Sequence, residues 1–367
     1  MKFYFLSHGR IDDMLKLLQS MGYKCVAPRY IEGTINYATL NNASELPWGL
    51  QDEQAPGHYK VFKTGVNRAF AHTVPVQSVK PMLFKPKENV WKVKRNDEGK
   101  LIFEPQVGFE KIAVFGIRAC DLRAIEVQDK TFMENDFNDI RYIKRRENQF
   151  LIAMNCTHSH SNCFCVSLGD GPKANDKAHD LSMTEIDGGF VVEIGSDKGR
   201  DLLNNLNLGS ASSAQEQSVS AGIQCAVEEQ IKTIPPTHIV EKKLMANLEH
   251  PRWDDVASRC LSCGNCTNAC PTCFCHTERD EPNVSGDESN HTREWDSCFT
   301  LDHSYTHGET VRPETKHRYR QWLTHKFATW RDQFKVYGCV GCGRCVTWCP
   351  VKIDVTEEIN HICGTSK

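Results

Sequence analysis

CLSCGNCTNACP, residues 260–271, places four thiols within one short stretch and closes on a proline. A second run, CVGCGRCVTWCP at 339–350, has the same spacing, and both read C-x2-C-x2-C-x3-C-P. The spacing has a mechanical reading. Three cysteines at intervals of three let a tight loop wrap one corner of a bulky group. Gly264 in one run, and Gly341 and Gly343 in the other, let backbone N–H groups approach it. Pro271 and Pro350 turn the chain away after the fourth thiol, because proline cannot continue a donor ladder.

In two-cluster ferredoxins of this pattern the fourth cysteine of each run ligates the other cluster. The expected ligand sets are therefore Cys260, Cys263, Cys266 and Cys349 for one 4Fe–4S cluster, and Cys339, Cys342, Cys345 and Cys270 for a second. Zinc is the competing reading, since CxxC pairs also build tetrahedral sites. Four regularly spaced thiols followed by proline, twice over, favour iron–sulfur. Residues 271–338 form a much longer insert than a compact ferredoxin has, so crossed ligation requires the insert to return and pack beside its start. Within it, KHRYRQWLTHKFATWRDQFK (316–335) carries Tyr319, Leu323, Phe327, Trp330 and Phe334 at helical steps. Lys316, Arg318, Arg320, Lys326 and Arg331 are expected on the opposite face, either solvated or a docking surface for an acidic partner.

Bulk properties set the frame for these loops. The chain has 367 residues, 40% apolar and 25% charged, with a formal charge of −3, the make-up of a globular protein of about two domains. Near-neutral charge argues against nucleic acid as a partner, and no apolar run is long enough to span a bilayer. The N-terminus, with His8, Arg10, Asp12 and Asp13, lacks the apolar core of a signal peptide, so a cytoplasmic location is expected. In that reducing compartment eighteen cysteines read as metal or redox groups rather than disulfides.

Upstream the texture changes. KIAVFGI (111–117) and FLIAM (150–154) read as short buried strands, with DLRAIEVQDKTFM (121–133) as a helix between them, a β-α-β unit. Parallel strands joined this way end at one edge of the sheet, where α/β proteins place their sites. Cys120 follows the first strand and Cys156 the second, with Cys163 and Cys165 in the next loop. Two readings stand for these four: ligands of a third iron–sulfur cluster, or free structural thiols. A single-ion site using His158 or His160 is a lesser option. DDMLKLLQSMG (12–22) reads as a helix stopped by Gly22, residues 90–105 as a hairpin turning at Asn96–Gly99, and GGFVVEIG (188–195) as a strand before a helix at 198–206. Residues 207–220 read as a surface linker. The expected architecture is an α+β/α/β chain: an α/β domain with a β-α-β core over 1–245, and a helical dicluster ferredoxin-like domain over 246–367.

GIRACDLRAI (116–125), RRE (145–147), CFCVSLGDGP (163–172), CGNCTNACPTCFC (263–275), REWDSC (293–298) and CVGCGRCVTWCP (339–350) together resemble the iron–sulfur beta subunit of soluble nickel–iron hydrogenases, the sulfhydrogenases. The A subunit of anaerobic sulfite reductase is similar nearly as closely. The resemblance runs from about residue 75 onward, with Leu168 and Asp170 departing from the family's CFC segment. It implies a non-catalytic electron-transfer subunit of an oxidoreductase complex. Its partners would be a flavoprotein subunit that handles NAD(P)H and the small and large subunits of a nickel–iron hydrogenase. A sulfite reductase partner, or a thiol or polysulfide reductase using Cys273 and Cys275, is the alternative. The sequence fits a relay without endpoints: no GxGxxG follows a strand, and no nucleophile, base and orienter are assembled. The roles of Cys273, Cys275 and Cys298 stay open at this level.

Overall fold

The structure, a computed structural model, describes residues 2–105, 108–134, 136–175 and 178–364. Strands Ile112–Ile117 and Gln149–Met154 pair in parallel, with Ile112 opposite Gln149, and the helix Ala119–Phe132 lies in the connection. Every residue of Gln149–Met154 is buried, as a strand covered on both faces requires. Lys24–Ile31 and Leu181–Ile186 flank this pair, also in parallel. Antiparallel strands complete an eight-stranded mixed sheet on either side. One face packs on helix Ile11–Ser20, whose Met14, Leu15 and Leu18 are buried, and Gly22 turns the chain after it at φ 84. The helix expected at 198–206 spans Asp197–Leu206, capped by the Ser196 hydroxyl, which accepts from Gly199 N.

The linker expected over 207–220 is corrected: residues Ser213–Glu228 form a helix. Ser212 and Gln215 build a reciprocal capping box at its start, which supplies the missing partners for the first N–H groups. Ser and Gln there are a helix start signal rather than linker composition.

The hairpin expected at 90–105 forms as Lys87–Arg95 with Leu101–Pro105, and Asn96 Oδ1 accepts from Glu98 N and Lys100 N in the turn. Two strands of the 271–338 insert, His276–Pro282 and Glu288–Trp295, extend it into a four-stranded sheet. That sheet takes two strands from each side of residue 245. The insert therefore returns by strand pairing as well as by its helix. The helix is itself interrupted: Thr315–Thr324 and Trp330–Phe334 are α-helical, with a π-helical turn at His325–Thr329 between them. Its charged face is also corrected, because Arg318 and Lys326 are buried. Around it, Trp253, Tyr319, Trp322, Leu323, Phe327, Val346 and Ile359 form a separate core that encloses the two thiol loops.

Candidate metal centre

Each thiol loop is shaped by glycine in the left-handed region. Gly264, at φ 75, and Gly343, at φ 72, each precede a one-turn helix, Asn265–Asn268 and Arg344–Thr347. Backbone amides approach the sulfurs as the sequence predicts: Ser262 N lies 3.4 Å from Cys260 Sγ, Gly341 N 3.5 Å from Cys339 Sγ, and Ile353 N 3.3 Å from Cys349 Sγ.

Two apolar cavities lie inside these loops. Cys260, Cys263, Cys266 and Cys349 line the first, together with Phe299, Tyr319 and Trp322. Cys270, Cys339, Cys342 and Cys345 line the second, with Phe164, Phe327 and Lys326. Each cavity thus meets three cysteines of one loop and the fourth of the other. Cys345 also lines the first cavity, so the two adjoin. Burial pushes the Cys266 and Cys345 thiols well up, and neighbouring sulfurs raise them further, Cys298 foremost for Cys266 and Cys339 for Cys345. Bare thiolates would be costly there; a bound group that shares their charge removes the penalty. Among the described residues, no three His, Cys, Asp or Glu are arranged to hold a single metal ion.

Cys120, Cys163 and Cys165 are buried, and Cys156 is partly so. Cys120 starts the helix after strand Ile112–Ile117, and the other three follow strand Gln149–Met154, so the common strand edge brings them together. Burial pushes Cys163 well up, and Cys165, Cys156 and Cys342 add to the rise, so these sulfurs lie within electrostatic reach of one another. Burial also pushes Cys165 up to about 12. The Gln230 side-chain amide lies 3.2 Å from its sulfur. This third set abuts the second cavity: Phe164 N donates to Gly341 O at 2.9 Å, and a side chain at Gly341 would begin 2.5 Å from Cys165 backbone. His158 is held by Glu229, Nδ1 to Oε2 2.8 Å, and His160 Nδ1 accepts from Asn162 N, which leaves neither free as a ligand through that nitrogen.

Charged groups that sequence reasoning missed surround these thiols. Arg118 is fully buried, and its guanidinium donates to the carbonyls of Phe70, His72, Thr73 and Asn155. It opposes the burial that raises the Cys156 pKa. Arg344, inside the second thiol loop, is fully buried in a two-pronged pair with Asp121, at 2.6 and 2.8 Å. The Trp295 ring centre lies 3.7 Å from Lys80 Nζ, and its Nε1 donates to Phe84 O. Cys273 sits beside Cys270. Cys275 and Cys298 line a separate open cleft with His276, His303, His325 and Arg312. No adjacent motif announces Lys80 or Lys326; for Arg118 the only signal is its place in GIRAC, two residues before Cys120.

Comparison with known proteins meets this geometry at the thiol loops. Residues 259–353 match the 4Fe-4S dicluster domain. The dicluster domain implies iron–sulfur clusters, and its boundaries enclose both loops and the insert between them. The chain as a whole is similar to sulfhydrogenase 2 subunit beta of Pyrococcus furiosus, with 27% identity over 304 residues, 79% of this chain and 84% of that protein. The resemblance therefore extends from the dicluster domain well into the α/β half that carries Cys120, Cys156, Cys163 and Cys165. No solved structure matches the chain significantly. Among the described residues, no helix is long and apolar enough to cross a membrane.

Proposed function

We propose that this chain is an electron-transfer subunit, relaying electrons through 4Fe–4S clusters between an NAD(P)H-linked flavoprotein subunit and a nickel–iron hydrogenase module. One observation carries the reading: two adjoining cavities, one walled by Cys260, Cys263 and Cys266 with Cys349 and Cys345 of the other loop, the second by Cys339, Cys342 and Cys345 with Cys270 of the first, at the spacing of a two-cluster ferredoxin. Cys260, Cys263, Cys266 and Cys349 hold one cluster, and Cys339, Cys342, Cys345 and Cys270 the second. When bound, such clusters accept and release single electrons. The chain's own part is to hold them close together, to exclude water with Phe299, Tyr319, Trp322 and Phe327, and to set the charge around them.

Cys120, Cys156, Cys163 and Cys165 hold a third cluster. Arg118 supports it, because a fully buried guanidinium that donates to backbone carbonyls and bears on the Cys156 sulfur puts a fixed positive charge beside the set. The three sets then lie in series, with the Cys339 loop in the middle. The partners follow from the resemblance to a sulfhydrogenase beta subunit. The test is to purify the complex anaerobically, add NAD(P)H or hydrogen, and follow the cluster signals by electron paramagnetic resonance. Reduction from both donors supports the relay; a colourless chain carrying zinc overturns it. One observation favours a second reading, a thiol or polysulfide reductase: Cys275 and Cys298 open onto a cleft of their own. Loss of thiol turnover with intact cluster reduction in a Cys275→Ser, Cys298→Ser chain would select it.

A further inference from the structure

Two ammonium groups are buried against the second thiol set, and their partners are all uncharged groups or sulfur. Lys326 Nζ lies 3.2 Å from Cys270 Sγ, 3.2 Å from Thr272 Oγ1 and 3.1 Å from Gly338 O. Lys80 Nζ lies 3.3 Å from Cys273 O and 3.5 Å from Thr267 O, capped by the Trp295 ring. Lys80 is 3% exposed and Lys326 4%. Among the described residues, neither reaches a carboxylate. The opposite charges that bear most on them are the sulfurs of Cys270, Cys273, Cys275 and Cys339, while the two lysines repel each other.

Burying one ammonium without a counter-ion is expensive, and burying two side by side is more so. Their placement is nevertheless built into the fold. Lys326 lies in the π-helical turn His325–Thr329, and its carbonyl accepts from Gly338 N at 2.8 Å. Lys326 thereby grips Gly338 twice, through its carbonyl and its ammonium, one residue before Cys339. Gly338 has no room for a side chain, since a Cβ there would run into the Trp330 ring. The local deformation of the helix and the fixed glycine together aim a cation at the Cys270 sulfur.

We propose that Lys80 and Lys326 set the reduction potential of the cluster held by Cys270, Cys339, Cys342 and Cys345. The inference rests on the relay reading above. Reduction makes that cluster one charge more negative, so fixed cations stabilise the reduced form and raise its potential. This cluster stands between the other two sets, so its potential governs whether an electron passes or rests there.

The test is a potentiometric titration of the full chain, purified anaerobically, followed by electron paramagnetic resonance. The signal that disappears in Cys342→Ser identifies the cluster. Lys326→Met and Lys80→Met are each expected to lower its reduction equilibrium constant about tenfold, about 59 mV for one electron, while the other signals stay in place. Lys326→Arg is expected to restore most of the shift, which a packing role alone would not do. Unchanged potentials in both Met variants at full iron content overturn the inference and leave the relay intact. If Lys326→Met loses iron, Lys80→Met decides alone, because Lys80 contacts carbonyls and a ring but no thiol. A wild-type chain without iron overturns the relay reading itself.

Discussion

Arg344 shows what a single residue does between two thiol sets. It is fully buried, grips Asp121 with both terminal nitrogens, and donates Nε to Pro75 O at 2.9 Å. The pair joins the Cys339 loop to the helix that begins at Cys120. Arg344→Met strands the Asp121 carboxylate in the interior, and breaking a buried pair on one side costs about 3–5 kcal/mol. The expected result is a clear fall in the thermal denaturation midpoint, largely recovered when Asp121→Leu is added. A single variant that melts with the wild type would remove the pair from the account. At the same scale, Cys349→Ser is expected to erase the spectrum of the cluster bound by Cys260, Cys263 and Cys266, although Cys349 lies in the other loop. A variant that damages only the Cys339 to Cys345 cluster would refute crossed ligation. The eight C-terminal thiols were legible from spacing alone, because a tight loop presents its sulfurs within one turn. Arg344 was legible only as a position beside a ligand: its partner is more than two hundred residues away in sequence, and nothing local announces the contact.

At the scale of elements, the four-stranded sheet is fastened to the α/β body by one charged knot. Glu88, on strand Lys87–Arg95, receives hydrogen bonds from Arg145 on helix Ile140–Glu147 and from Arg293 on strand Glu288–Trp295. Arg293 also donates to Asp139, the residue that caps that helix. Burial alone would raise the Glu88 pKa, but the bonds from Arg145 and Arg293 prevail and hold it below the ordinary value. A carboxyl with a lowered folded pKa stabilises above its unfolded pKa and loses that contribution as pH falls through the folded one. The sheet's anchorage is therefore expected to hold at neutral pH and to fail only below about pH 4. Hydrogen exchange over residues 276–295 checks it: early exposure in acid supports the knot, and unchanged protection in Glu88→Gln at neutral pH contradicts it. This sheet marks the limit of what the sequence discloses. The 90–105 hairpin was readable from its alternation and its Asn-to-Gly turn, whereas its pairing with 288–295 joins strands nearly two hundred residues apart. A period-2 pattern names a strand but not its neighbour. The linker at 207–220 failed for a different reason, since serine and glutamine were read as composition when their spacing was a capping box. The helix at 316–335 was found, but its face was misjudged. Lys326 flanks the apolar stripe, and a buried thiol set supplied the reason to turn it inward.

On the scale of the molecule, three groups of cysteines drawn from distant parts of the chain lie in series. The first and second cavities share Cys345, and the second meets the third set where Phe164 N donates to Gly341 O. Gly341 makes that last contact possible, because any side chain there collides with Cys165 backbone. Whether the series has two stations or three is a question of stoichiometry. Three 4Fe–4S clusters require about twelve iron and twelve labile sulfide per chain, and two require about eight. The third set holds four sulfurs at the common edge of parallel strands, beside a buried guanidinium that donates to four carbonyls and bears on the Cys156 sulfur. If these thiols were structural, replacing Cys163 and Cys165 by serine would leave the iron content unchanged. If they are ligands, that chain falls from about twelve iron to about eight while the signals of the dicluster domain persist. Arg118 sharpens the comparison. With the third cluster gone, its charge loses the anion that offsets it, so Arg118→Met is expected to destabilise the wild type but to stabilise the Cys163→Ser, Cys165→Ser chain. The sign reversal between the two backgrounds, measured as denaturation midpoints, separates an electrostatic partner of a cluster from an arginine that only ties loops together. The same sign in both would leave Arg118 a structural clamp and remove the support it lends to the third station.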